Sequence, residues 1–164
     1  MTTVRWLPLL LLSSVAVYSG IARAADKTEA QMLDEHLQVV RGDIAAKRDS
    51  AIKTLVQVDE QHAAAFRTLK EQYDAELKKI SEARQALIRE FVTGRKSLTP
   101  EKARDLATRS LDLDDKRNAL RRKYFDLMAT QVSPIAAAQF LQVERQFETM
   151  ADLKVATAMP LAGE

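Results

Sequence analysis

Residues 28–93, TEAQMLDEHLQVVRGDIAAKRDSAIKTLVQVDEQHAAAFRTLKEQYDAELKKISEARQALIREFVT, decide the fold. The stretch has no proline and one glycine, Gly42. Thr28-Glu29-Ala30-Gln31 fits a capping box, in which hydroxyl and amide satisfy two free backbone donors at a helix start. From there the apolar residues Leu33, Ile44, Leu55, Phe66, Leu77 and Ile88 recur every eleven positions. A second stripe follows the same step through Val58, Leu69, Ile80 and Phe91. Eleven residues make three turns, so both stripes keep to one side of a helix with a slight right-handed drift. The pattern predicts one helix over 28–93, a rod of ~100 Å. Gly42 is its weak point, at ~1 kcal/mol; with Asp49-Ser50 able to cap a fresh start, a kink falls between Arg41 and Ser50.

Working outward, Gly94 supplies a C-terminal stop. Leu98-Thr99-Pro100-Glu101 restarts a helix, with Thr99 as N-cap and Pro100 in the first position. Leu106, Leu113, Leu120, Leu127 and Met128 give it an apolar side to about Gln131. Ser133-Pro134 repeats the signal, and a third helix carrying Ile135, Phe140, Leu141, Phe147, Met150 and Leu153 fades near Ala158. The expected fold is all-α: a long helical hairpin with a third C-terminal helix, elongated and dimeric. The third helix either continues past its proline or reverses into a local bundle. Stripes on a rod that long cannot all be covered within one chain, and Leu33, Leu37, Val40 and Ile44 have the least cover. Exposed apolar tracks of this kind mark interfaces.

The amino end has the three parts of a secretory signal: Arg5, an apolar stretch around Leu9-Leu10-Leu11-Leu12, and the small-x-small site Ala22-Arg23-Ala24. The expected organisation is a signal peptide over 1–24, a helical hairpin or bundle domain over 25–158 and a short tail over 159–164. Cleavage after Ala24 sends the protein to the periplasm; retained, the segment would serve as an anchor. Removing 1–24 takes Arg5, Arg23 and the only tryptophan, Trp6, and leaves 23 basic against 23 acidic residues. That neutral balance withdraws any electrostatic case for nucleic acid. The absence of cysteine excludes disulfides and thiolate chemistry.

Candidate chemistry is sparse, and no catalytic, cofactor-binding or metal residue is assigned. His36 and His62 are the only histidines. Asp59 and His62 have the three-residue spacing found in metal-binding bundles, yet His62 also falls at the edge of the apolar seam. The serines Ser50, Ser81, Ser97, Ser110 and Ser133 lie on helices or at their ends, outside any strand–turn–helix setting that presents a nucleophile. Arg41-Gly42-Asp43 matches an adhesion tripeptide but lies within a helix. The cluster from Asp112 to Lys123 reads as a solvated face with pairs such as Asp112 and Lys116, repeated by Asp43 with Lys47 and Asp74 with Lys78.

Val132-Ser133-Pro134-Ile135-Ala136-Ala137-Ala138-Gln139-Phe140 resembles the Leu-Thr-Pro-x-x-x-x-Gln-Phe start of the last helix in the Spy/CpxP family of periplasmic proteins. Residues 91–131 resemble the hairpin that precedes it, and the likeness covers about 86–150. The family's Leu-Thr-x-x-Gln motif has Lys102 at its glutamine position after Leu98-Thr99, and Ala136 after Val132-Ser133. The resemblance implies an ATP-independent chaperone or envelope-stress modulator that forms a homodimer and holds unfolded polypeptides. Two other readings are a structural coiled-coil adaptor with one envelope partner, and a metal-responsive sensor using His36 and His62.

Overall fold

The computed structural model describes residues 28–159 and Leu161, the side chains at 29, 30, 34, 37 and 41 excepted. The expected signal peptide and its cleavage site lie outside the described residues, as does most of the tail. Four helices make up the fold: α1 (Glu29–Leu55), α2 (Ala63–Gly94), α3 (Pro100–Gln131) and α4 (Pro134–Ala158). The all-α class is as the sequence implies, and no strand is present among the described residues. The single rod is not. It divides at 56–62 into helices of 27 and 32 residues, about 40 and 48 Å long.

The break does not fall at Gly42, through which α1 runs uninterrupted. It falls where tertiary contacts repay it. Val56 leaves the helix in an extended conformation and is itself buried. The Gln57 N–H donates to the Gln139 side chain of α4 at 2.8 Å. The Asp59 carboxylate then accepts the His62 N–H at 2.9 Å and closes the turn.

The other ends follow local chemistry. Thr28 and Gln31 form the capping box. Thr99 and Ser133 accept from the N–H groups of Lys102 and Ala136, at 3.2 and 3.0 Å, each followed by proline. Gly94 ends α2 without a left-handed residue, and a 3-10 turn over Arg95–Ser97 leads out.

Side-chain pairs between helices run in reverse order along each neighbouring pair. Arg48 meets Asp74 while Asp49 meets Lys70, and Glu90 meets Lys102 while Glu76 meets Lys123. Likewise Arg117 meets Asp152 while Arg121 meets Glu148, and Arg48 meets Glu144 while Gln57 meets Gln139. Each neighbour is therefore antiparallel: an up-down-up-down four-helix bundle in which α4 packs between α1 and α3. The reversal at Val132-Ser133 is one of the two directions left open by the sequence.

Both eleven-residue stripes face inward as read. Ile44, Phe66, Leu77, Val58, Leu69 and Ile80 join one core, Leu33, Ile88 and Phe91 a second. Leu55, the last residue of α1, is the exception at 53% exposed. The main core centres on Tyr73, Tyr124, Met128, Ala136, Ala137 and Phe140. Tyr73 meets both Tyr124 and Phe140 edge-to-face, with ring centroids 5.4 and 5.2 Å apart. The smaller core lies near the α2–α3 turn, where Ile88 and Val92 meet Leu33, Phe91, Val155 and Met159.

Candidate functional site

Along α4, Glu144, Glu148 and Asp152 stand four residues apart, so they share one helical face. That face turns into the bundle, and the other three helices each send arginine to it. Arg48 of α1 donates from Nε to Glu144 at 2.5 Å and from Nη2 to Asp74 at 2.7 Å. Arg117 of α3 reaches Glu148 at 2.6 Å, and Arg121, one turn on, pairs with the same carboxylate. Arg84 of α2 bridges Asp152 at 3.2 Å and Asp114 at 3.1 Å. The result is an acidic ladder whose rungs tie α4 to every other helix.

Glu144 is the deepest rung, at 5% exposed. Its second oxygen accepts the Tyr73 hydroxyl at 2.9 Å. Burial pushes this carboxyl above the ordinary glutamate range, and Arg48 and the tyrosine hydrogen bond offset that only in part. Burial opposes the Arg48 charge as well, but Glu144 and Asp74 overcome it and hold the guanidinium above its usual range. Tyr73 is pushed up by burial first and by the Glu144 charge second.

Beside the ladder the bundle opens into a cavity of about 260 Å³. Val40, Ile44, Leu77, Ile88, Phe147 and Val155 form its apolar walls, with Arg48, Arg84, Arg117 and Arg121 around them. A second cavity of about 280 Å³ shares Arg84, Ile88 and Val155 with the first and runs to the α2–α3 turn past Phe91, Leu98 and Leu106. Together they form a cleft between helices with apolar walls and charges of both signs along it. Each acid of the ladder holds an arginine.

The residues singled out for chemistry fall elsewhere. His62 precedes α2, its Nδ1 2.7 Å from the Asp59 carboxylate that organises the turn. His36 is exposed on α1, with roughly 28 Å of helix between it and Leu55. No group of three His, Cys, Asp or Glu placed to hold a metal is found among the described residues. Arg41-Gly42-Asp43 is helical, as read. The charge cluster from Asp112 to Lys123 departs from a simple solvated face: Arg117 and Arg121 turn inward to Glu148. Asp74 likewise turns to Arg48 and Lys70 rather than Lys78. The sequence does contain one signal of the ladder, three acids at helical spacing beside Phe140, Val143 and Phe147. Its arginine partners are 27 to 96 positions away and only the fold brings them together.

No described helix is long and apolar enough to cross a membrane. No protein-family model, curated protein or solved structure matches the chain.

Proposed function

We propose that the protein is a non-enzymatic chaperone or stress modulator of the bacterial envelope, exported by cleavage after Ala24, that binds unfolded polypeptides without ATP in the manner of the Spy/CpxP family. The observation that carries this reading is the cleft, whose apolar walls and alternating charges suit polypeptide segments of mixed composition. The resemblance of Val132 to Phe140 to the family motif supports it. Affinity in such a cleft comes from apolar side chains leaving water, at roughly 25 cal/mol per Å² before ordering costs. Paired charges beside it keep the surface soluble.

The test is light scattering from an unfolded client diluted into buffer with stoichiometric amounts of the purified protein. Aggregation is expected to slow. Val40→Asp and Val155→Asp, at half-buried cleft positions, weaken the protection several-fold, while Leu111→Asp, at an exposed site outside the cleft, leaves it unchanged. Undiminished aggregation with the wild-type protein rejects the reading. One stable complex on co-purification, without protection of model clients, points to the adaptor instead.

A further inference from the structure

The loop that turns α1 back onto α2 contains nothing that a helix refuses. Residues 56–62, Val-Gln-Val-Asp-Glu-Gln-His, include neither proline nor glycine. The two apolar stripes pass through it in phase: Leu55 and Phe66 belong to one, Val58 and Leu69 to the other. Besides the buried Val56 and the Gln57 bond to Gln139, the turn rests on Asp59, which accepts the His62 N–H through its carbonyl at 3.2 Å as well as through its carboxylate, both at the surface. The helix that it folds back is held by Ile44, Ala51 and Ile52 in the core and by polar contacts beside them. Arg48 reaches Glu144 and Asp74, and Lys70 reaches Asp49 at 2.9 Å. Ile52 is the fully buried residue of α1 among those described, and Leu55 lies exposed at its end.

We propose that this hinge straightens, joining α1 and α2 into one helix from Glu29 to Gly94, and that α1 then seats in the groove between α2 and α4 of a second copy of this chain. The result is a domain-swapped dimer. A second copy is the occupant because the groove is complementary to α1 in charge as well as in shape. Glu144 and Asp74 stand where Arg48 arrives, Lys70 where Asp49 arrives, and apolar residues flank Ile44 and Ile52. Every contact of α1 is remade between copies, so the difference between the two forms is confined to the hinge. There, turn hydrogen bonds and the Gln57 bond to Gln139 give way to helical ones, and Leu55 rejoins a continuous apolar stripe. This inference goes beyond the proposed chaperone activity and does not depend on it.

The Lys70–Asp49 pair provides the assay. Isotopically heavy and light protein are mixed in denaturant, refolded, separated by size and joined at this pair with a carbodiimide. In a swapped dimer about half of the Asp49–Lys70 linked peptides carry one heavy and one light half, by random pairing of copies. The monomer fraction gives linked peptides of one isotope and serves as the control. Glu60→Pro is expected to abolish the mixed peptides and the dimer, since Glu60 is the second residue of the Asp59–His62 turn, where proline fits, whereas a continuous helix excludes it. Asp59→Ala, which removes the turn's side-chain acceptor, raises the dimer fraction. A protein monomeric at all concentrations, or a dimer with single-isotope links alone, overturns the proposal. So does a dimer that survives Glu60→Pro with its mixed links intact.

Discussion

Glu144 shows how one residue can organise a bundle at some cost to its stability. Its carboxylate binds Arg48 and Tyr73 in the interior, and removing charge from water is seldom fully offset by pairing. Glu144→Gln takes from Arg48 its most buried partner, leaving Asp74 and Asp49, and is expected to lower unfolding free energy by about 3 kcal/mol in urea denaturation, the lower end for a broken buried pair. Replacing the set together, Arg48→Met with Tyr73→Phe and Glu144→Leu, is expected to recover that loss or exceed it. A triple variant no more stable than Glu144→Gln would show that the network stabilises beyond its apolar equivalent. The spacing of Glu144, Glu148 and Asp152 is plain in the sequence, but their burial is not. A run of acids on a helix reads as solvated until distant arginines arrive, which is why Arg117 and Arg121 read as surface charge.

At the scale of helices, caps and prolines act locally and are therefore legible. Thr99-Pro100 and Ser133-Pro134 set the starts of α3 and α4, because hydroxyl and ring operate within one turn. The loop at 56–62 answers to no local breaker. Its cause is the burial gained when α1 folds onto α2 and α4, which outweighs helix continuity. Gly42 is the converse, a local weakness that the surrounding helix tolerates. Its position is exposed, and an added Cβ meets nothing within 4 Å. Gly42→Ala is expected to stabilise α1 by about 1 kcal/mol, read as greater helicity by circular dichroism and slower amide exchange around residue 42. Unchanged exchange would mean that α1 is fixed by its docking rather than by its own propensity.

For the whole molecule, response to acid depends on carboxylates with opposite shifts. Hydrogen bonds from Arg109 and Lys102 hold Glu90 at about 2, against 4.5 ordinarily. Asp105 and Glu76 are lowered in the same way, by Arg109 and by Lys123. Below 4.5 the unfolded chain binds a proton that folded Glu90 does not, so this contribution, present above 4.5, is lost as pH falls toward 2. Glu144 acts with the other sign and above that window: its raised value means that the folded chain takes up a proton first, and stability is gained as pH falls from that raised value to 4.5. Calorimetry across pH 2 to 5 is expected to show a falling melting temperature whose slope is reduced in Glu90→Gln. An equal slope in the variant would place the acid sensitivity elsewhere.

The paired tyrosines have an optical consequence. Of the three tyrosines, Tyr73 and Tyr124 sit edge to face in the main core, their hydroxyls donated to Glu144 and Glu76. Burial holds Tyr73 well above the ordinary phenol range and pushes Tyr124 up to about 12. In alkali, phenolate absorbance from this pair is therefore delayed until the helices part. Because the only tryptophan, Trp6, and the third tyrosine, Tyr18, fall within residues 1–24, near-ultraviolet light absorbed by a sample that lacks those residues reports on the meeting point of α2 and α3. An unlabelled sample carries its own gauge of bundle closure.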